Sequence, residues 1–147
     1  MSTVEDNKNA LRKSFRFSVP NGRTAPQIAR DMVAYLLILT GHSRTSDSAR
    51  LLVSEIVTNV YQHTSTPIVH IDISVRPESV TVAVWDNRPE ERPRVLYAHA
   101  EQLGGRGMQL VAQEAAQWGV SWPAERDARG KRVWFSLRED GAERAAA

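Results

Sequence analysis

The sequence contains no cysteine, which excludes disulfides, thiolate metal sites and thiol nucleophiles. It also lacks an apolar run long enough to cross a bilayer, and its N-terminus has no apolar signal core. Neither positive nor negative residues are in large excess, because the formal net charge is only +2 and the arginines are scattered among acidic residues. That distribution argues against a nucleic-acid-binding surface. We therefore expect a cytoplasmic protein that contacts neither nucleic acid nor membrane directly.

The length and composition predict one globular domain. The chain has 147 residues, of which 41% are hydrophobic and 24% charged, and this size suits a single core but not two ordinary domains. Residues 1–13 are polar, so we expect a flexible N-terminal segment. Residues 14–138 form the predicted domain, and the alanine-rich residues 139–147 form a predicted flexible tail.

Hydrophobic periodicity predicts an α+β order of elements. Alternating apolar residues indicate five strands, near 15–19, 68–75, 79–85, 120–122 and 131–137. Helical spacing indicates a helix from Ala25 to Leu39, with apolar residues at Ile28, Met32, Tyr35, Leu36 and Leu39. A second helix is expected from the caps Ser46 and Asp47 to about His63. A glycine turn at 104–107 opens a third helix through about Gln117, after a long loop from Asp86 to about Leu103.

The second predicted helix carries three polar side chains at four-residue spacing. Glu55, Asn59 and His63 project from one side of an α-helix, because positions four apart lie nearly above one another. A carboxylate, a carboxamide oxygen and an imidazole in a row suit a hard metal, a phosphate or an activated hydroxyl. The alternative is an ordinary solvated polar face on an amphipathic helix.

Two further positions carry candidate chemistry. Asp86 ends an apolar strand, where a buried carboxylate is costly without donors; a ligand amine is one candidate donor, and capping of the following loop is the alternative. Gly105, Arg106 and Gly107 precede a helix whose free amides suit a phosphate, although many glycine turns bind nothing. Lys131 follows Gly130 in the last hairpin and is either part of the site or a solvated turn residue.

Taken in order, these motifs resemble those of the GHKL superfamily of ATPases and kinases. The stretch LLVSEIVTNVYQHT resembles its N-box, and VAVWDNRPEERPRV resembles a variant first glycine box. GGRGMQLVAQEAAQWGV is similar to the second glycine box, and GKRVWFSL to the final strand motif. Together they cover about residues 11–138. The branch that the chain resembles is the single-domain bacterial anti-sigma factors that act as serine/threonine kinases.

The resemblance implies a fold and a cofactor. The fold is a two-layer α/β sandwich of the Bergerat type, with a mixed, mostly antiparallel sheet and helices on one face. The cofactor is ATP with Mg²⁺. Asp86 is then expected to accept from the adenine amino group, and Lys131 to lie in the nucleotide site. Residues 87–103 are expected to form a lid over it.

The resemblance also implies roles at the phosphate end. Asn59 is expected to coordinate Mg²⁺, Glu55 to act as the base that polarises the attacking hydroxyl, and His63 to lie near the phosphates. Gly105 and Gly107, with Arg106, are expected to hold the phosphates at a helix start. These assignments make the polar face of the second helix the catalytic one.

The sequence departs from the family pattern in two places. Asn87-Arg88-Pro89 follows Asp86 where the family usually has glycine, which we interpret as a subfamily trait of the lid. Arg132 stands where the family usually has a threonine whose hydroxyl helps Asp86 hold adenine. An arginine there is expected to weaken nucleotide binding or to reach toward Asp86 or the phosphates.

Two functions follow from the resemblance. The first is a serine/threonine kinase that phosphorylates an anti-anti-sigma (STAS-like) antagonist and controls a sigma factor by partner switching. The second is a binding module of the same fold with weak or no nucleotide binding. A histidine-phosphorylating sensor kinase fragment ranks below both. A homodimer is the family expectation; Tyr35, Leu37 and Ile38 suit a dimer or sigma-factor surface, or ordinary core packing.

Overall fold

A computed structural model describes residues 12–86, 115–121 and 130–139. Its strands are β1 (Lys13–Pro20), β2 (Ile68–Arg76), β3 (Ser79–Asp86), β4 (Gln117–Ser121) and β5 (Lys131–Arg138), and its helices are α1 (Ala25–Leu39) and α2 (Ser43–His63). Five predicted strands and two predicted helices are confirmed. The α+β fold class is confirmed as well. Residues 1–11 and 140–147, in the predicted terminal segments, lie outside the described residues, as do lid residues 87–103.

Helix α1 ends at the predicted glycine. Gly41 has φ +83°, a left-handed conformation that glycine adopts without strain. The amide of Gly41 donates to the carbonyl of Ile38 (3.2 Å), and the amide of His42 donates to that of Leu37 (2.7 Å). This pair of bonds is the Schellman motif, which satisfies carbonyls that the helix end leaves open.

Helix α2 begins at Ser43, three residues before the predicted cap, so that boundary was wrong. The turn at Gly41 leads directly into the helix, and the Thr45 amide already donates to the His42 carbonyl (3.2 Å). Ser46 therefore lies inside the first turns, where its hydroxyl donates to the Ser43 carbonyl (2.8 Å). The cap position falls to His42, whose ring Nε2 lies 2.6 Å from the Arg76 carbonyl oxygen.

The described strands form one sheet in the order β1-β2-β3-β5-β4, with all four pairings antiparallel. The resemblance implied a mixed sheet, and within the described residues no parallel pairing occurs. Strand β4 is longer than predicted. Gln117 pairs with Ser136, so the predicted helix from the glycine turn cannot extend to Gln117.

One face of the sheet packs against both helices. Helix α1 contacts β1 and β2, and α2 contacts β3 and β5. Alternate residues of the strands point to this side, because successive side chains of a strand face opposite ways. They form one buried cluster with the helices, in which Phe135 is the largest side chain. Neither helix in the described part of the chain is long and apolar enough to cross a membrane.

Helix α1 has two apolar sides, and only the one with smaller residues faces the core. Its buried residues are Ala25, Ala29, Val33, Ala34 and Leu37. Four of the five larger side chains that revealed the helical period are exposed, with Tyr35 at 61% and Leu39 at 64%, whereas Leu36 is half-buried against the core. Of the three residues predicted for a partner surface, Leu37 belongs to the core, whereas Tyr35 and Ile38 face solvent. We call the exposed residues Ile28, Met32, Tyr35, Ile38 and Leu39 the α1 stripe.

The other face of the sheet, which we call the open face, carries polar and aromatic residues. Arg16 on β1 donates through Nε and Nη2 to the two oxygens of Asp72 on β2, at 2.5 and 2.8 Å. The indole Nε1 of Trp85 on β3 donates to the same carboxylate (2.8 Å). On β5 the guanidinium of Arg132 lies 5.8 Å from the ring centre of Trp85 and 5.7 Å from that of Trp134.

These contacts change the ionisation of Asp72. Partial burial acts to raise the pKa of Asp72, but hydrogen bonds from Arg16 and Trp85 and the charges of Arg16 and Arg132 outweigh it. The pKa of Asp72 therefore lies below its ordinary value. The pKa of Arg16 is raised by the same hydrogen bond and charge. Since the folded state favours the carboxylate, it gains stability from Asp72 at neutral pH.

Replacement of Asp72 by Asn is expected to remove the stabilisation that the Asp72 carboxylate provides, and the loss of stability should depend on pH. At pH 7 the variant should be less stable than the wild type by about 1 kcal/mol or less, because the ion pair is partly exposed to solvent. The difference should narrow as the pH falls below about 4 and the wild-type carboxylate becomes protonated. Urea unfolding of both proteins between pH 7 and pH 2.5 measures it. Asp47→Asn, at a side chain 94% exposed, is the control. A gap that stays constant over this range would contradict the prediction.

Candidate functional site

The polar residues of α2 lie beside its buried stripe. Glu55 and Asn59 are half-buried, while His63, the last residue of the helix, is exposed. Their neighbours toward the core are fully buried, namely Leu52, Val53, Ile56, Val57 and Val60. The half-buried pair therefore sits at the border between the core and solvent. A carboxylate and a carboxamide one turn apart at such a border can act together on one ligand.

Asp86 and Lys131 form a buried ion pair at the end of the sheet. They are direct partners in the register of β3 and β5, and Lys131 Nζ lies 3.1 Å from Asp86 Oδ2. Their side chains are only 2% and 3% exposed. The alternative interpretation of Lys131 as a solvated turn residue is wrong. The chain itself therefore supplies, through Lys131, at least one of the donors that the buried Asp86 carboxylate requires.

Strand alternation places this pair on the same side of the sheet as α2. Asp86 continues the series Val80, Val82 and Val84, all of which point into the core. Since α2 packs against β3 and β5, the helix bearing Glu55 and Asn59 covers the sheet face to which Asp86 belongs. The structure thus brings the predicted N-box residues and the predicted adenine acceptor to one side of the sheet.

Arg132 lies on the opposite side of the sheet. Its neighbour Lys131 faces the core, so the period of two along β5 turns Arg132 to the open face between two tryptophan rings. The expectation that Arg132 reaches toward Asp86 is wrong for this reason. The residue that does face Asp86 is Lys131.

The remaining predicted site residues lie outside the part of the chain that the structure describes. These are Gly105, Arg106 and Gly107, together with the lid at 87–103. Among the described residues, no three His, Asp or Glu side chains are grouped so that they could hold a metal ion. Mg²⁺ commonly takes few protein ligands beside phosphate and water, and the Asn59 side-chain oxygen is of the type it prefers.

The sequence did not reveal the cluster on the open face. Its members, which include Arg16, Asp72, Trp85, Arg132 and Trp134, occupy polar positions in four separate strands. The alternating pattern shows that each residue points away from the core. Their meeting depends on β5 lying beside β3, an order of strands that no local pattern specifies.

Comparison with known proteins gives the family. A search of curated proteins finds no match to this chain. The family described as histidine kinase-, DNA gyrase B- and HSP90-like ATPases matches residues 45–141, about two thirds of the chain. The matched region contains β2–β5 and all of α2 except its first two residues, and it includes Glu55, Asn59, His63, Asp86 and Lys131. This family implies ATP binding. With the α+β fold, the buried Asp86 and the polar border of α2 in place, the chain belongs to the histidine kinase-, DNA gyrase B- and HSP90-like ATPases.

Proposed function

We propose that this protein binds ATP and transfers its terminal phosphoryl group to a serine or threonine of an antagonist protein, thereby controlling transcription by partner switching. One observation carries the proposal. A buried carboxylate, Asp86, lies on the side of the sheet that α2 covers, and α2 presents half-buried Glu55 and Asn59. These are acceptor, base and metal-ligand chemistries on one side of one small domain.

The adenine end of the site fits Asp86. A carboxylate offers about four acceptor directions, so pairing with Lys131 is compatible with accepting a hydrogen bond from the adenine amino group. Guanine has an oxygen in place of that amino group, and two acceptors facing each other repel. Asp86 therefore selects adenine over guanine. Lys131 pairs with the carboxylate within the low-dielectric interior.

The phosphate end fits Asn59 and Glu55. Bound ATP with Mg²⁺ supplies a transferable phosphoryl group, and Asn59 would hold the metal through its side-chain oxygen. Glu55 accepts the proton from the attacking hydroxyl. Phosphoryl transfer needs mainly positioning and charge neutralisation, so a single carboxylate base and one metal ligand suffice from α2. His63, one turn beyond Asn59, is close enough along the helix to contact a phosphate.

A second candidate function is a protein-binding module that binds nucleotide weakly or not at all. It is favoured by Lys131, whose ammonium group already satisfies Asp86. The resemblance places a threonine hydroxyl that helps this aspartate hold adenine at position 132, but that position faces the opposite side of the sheet. The residue paired with Asp86 is Lys131, whose side chain is longer than threonine and charged. If adenine has to displace Lys131, binding carries the cost of separating a buried ion pair.

The α1 stripe supports the proposal that the protein associates with a second copy of itself. It presents large apolar side chains in an exposed position, which is typical of association surfaces. Helix α1 lies outside the region that matches the family. We infer that it serves the homodimer.

Metal-dependent ATP binding is the first expected outcome. Calorimetric titration of the protein with ATP and Mg²⁺ should give saturable binding that is abolished by EDTA, and GTP should bind at least tenfold more weakly. Asn59→Ala should lose about tenfold or more in affinity, since it removes a contact to a charged group. Gln62→Ala, an exposed carboxamide on the same helix, is the matched control. Equal affinities for ATP and GTP would contradict the role of Asp86.

Lys131→Thr separates the two candidate functions within the same titration. If the wild type shows no binding at millimolar ATP and Lys131→Thr does bind, the Lys131–Asp86 pair closes the site and the binding-module function holds. Binding by the wild type supports the first proposal.

The kinase assignment predicts a selective loss of transfer in Glu55→Gln. Removal of a general base commonly lowers a rate by about 10²–10⁴-fold, and transfer of radiolabel from ATP to a STAS-like antagonist should fall by that order. Affinity for ATP should remain within about twofold, because Glu55 acts on the acceptor hydroxyl. Glu78→Gln, in the β2–β3 turn, is the control. Undiminished transfer would show that Glu55 is not the base.

The α1 stripe predicts a dimer that a single charge disrupts. The wild type should sediment as a dimer at tens of micromolar, and Tyr35→Asp should sediment as a monomer, because a carboxylate cannot be buried unpaired in an apolar interface. Tyr61→Asp, at an exposed tyrosine on α2, should leave the dimer intact. A monomeric wild type, or dimeric Tyr35→Asp, would overturn the assignment of this surface.

A further inference from the structure

A groove of about 360 Å³ runs across the open face of the sheet, away from the nucleotide site. Side chains from β1, β2, β3 and β5 line it, together with Arg12, which precedes β1. Among the lining residues are Ser74, Thr81 and Arg132. A smaller hollow of about 230 Å³ shares these four residues and extends the groove to Arg76 and Ser79. The two hollows therefore form one continuous surface depression.

The side chains that line the groove carry a net positive charge. Arg16 is paired with Asp72, the acidic residue of the lining. Arg12, Arg76 and Arg132 form no ion pair with a carboxylate in residues 12–86, 115–121 and 130–139. Four guanidinium groups, those of Arg12, Arg16, Arg76 and Arg132, thus line the depression beside one carboxylate, that of Asp72, so the described lining has a net positive charge. Such a concentration of one sign attracts an anion.

Arg132 is held in place before any ligand arrives. Its guanidinium lies between the rings of Trp85 and Trp134, and Trp85 is itself anchored by its bond to Asp72. Gly119 makes room for the second ring, because a Cβ there would lie 3.0 Å from Trp134. Partial burial lowers the pKa of Arg132, against the effect of the Asp72 charge. A cation that has already lost part of its hydration gains more from a bound anion.

The remaining lining supplies hydrogen-bond donors at the same place. Arg12 Nε donates to Ser74 Oγ (3.0 Å), which holds the Arg12 side chain across the groove. Ser14 adds a hydroxyl group, and the Thr81 hydroxyl, which donates to Ser136 Oγ (3.4 Å), also lines the groove. Guanidinium groups with neighbouring hydroxyls are the donors that recognise the oxygens of a phosphate. A volume of about 360 Å³ falls at the small end of the range for ligand pockets.

We propose that this groove is a second ligand site, which binds the phosphate group of a small phosphate monoester on the sheet face opposite the ATP site. Arg12 and Arg132 contact the phosphate, and the hollow toward Arg76 and Ser79 accommodates the organic part. The proposal does not depend on the kinase function, since none of its residues belongs to the nucleotide site.

Tryptophan fluorescence tests the proposal directly, because Trp85 and Trp134 flank Arg132. The protein is titrated with glycerol 3-phosphate and, separately, with inorganic phosphate, with chloride added to keep the ionic strength constant. We expect a saturable change in emission with glycerol 3-phosphate, and at least threefold weaker binding of inorganic phosphate. Calorimetry of the same titrations gives affinities that do not depend on the fluorophores.

Variants locate the site. Arg132→Gln and Arg12→Gln should each weaken binding at least fivefold, and Arg12→Gln does so without touching a tryptophan. Arg23→Gln, an exposed arginine before α1, should bind as the wild type does. Asn59→Ala should also bind normally, which separates this groove from the phosphate end of the nucleotide site.

Four results would overturn the proposal. Chloride alone could reproduce the emission change, which would show a general ionic effect. Inorganic phosphate could bind as tightly as the monoester, which would show that the groove does not recognise the organic part of the ligand. Arg12→Gln could bind with wild-type affinity. Asn59→Ala could abolish binding, which would assign the phosphate to the nucleotide site.

Discussion

The register between β3 and β5 is the constraint on which the rest of the molecule depends. Two consecutive residue pairs in this ladder point to opposite faces of the sheet. They are Trp85 with Arg132 and Asp86 with Lys131. Because side chains alternate along a strand, one pair enters the interior and the other faces solvent. A slip of one residue would bury the Trp–Arg pair and expose the ion pair, so the register determines both surfaces at once.

The buried pair of Asp86 and Lys131 is better understood as a functional feature than as a source of stability. Moving two charges out of water costs several kcal/mol, which their mutual attraction roughly offsets. A pair of apolar residues at the same two positions would fold as well or better. The ion pair instead retains a hydrogen-bond acceptor at the end of β3, on the sheet face covered by the helix that bears Glu55 and Asn59. Retention of such a group fits a domain of the ATPase family.

Local patterns in the sequence determined the elements but not their partners. The extents of α1 and of β2, β3 and β5 were predicted well, because their apolar residues recur with clear periods and Gly41 ends α1. The start of α2 was missed because Ser46 and Asp47 match a cap, whereas the turn at Gly41 leads into the helix three residues earlier. The buried side of α1 was also hidden, since its alanines give a weaker signal than the large residues opposite them.

Predictions about the site divided in the same way. Glu55, Asn59 and Asp86 could be proposed as site residues from the sequence because each lies within a motif whose residues are close along the chain. The relation between Asp86, Lys131 and Arg132 could not, because it depends on which strand lies beside β3 and on the parity of the pairing. The register of β3 and β5 places Lys131, and not its neighbour Arg132, opposite Asp86. The arginine next to it became part of a different surface for the same reason.

The α1 stripe also affects how the protein responds to its solution conditions. Association of apolar side chains is driven mainly by water entropy near room temperature, so it weakens on cooling and strengthens in sulfate or phosphate salts. Attraction to the arginines of the open face is screened by added salt. The two surfaces of this small domain should therefore respond in opposite directions as ionic strength rises. A change in the surrounding salt would alter the balance between them without changing a single residue.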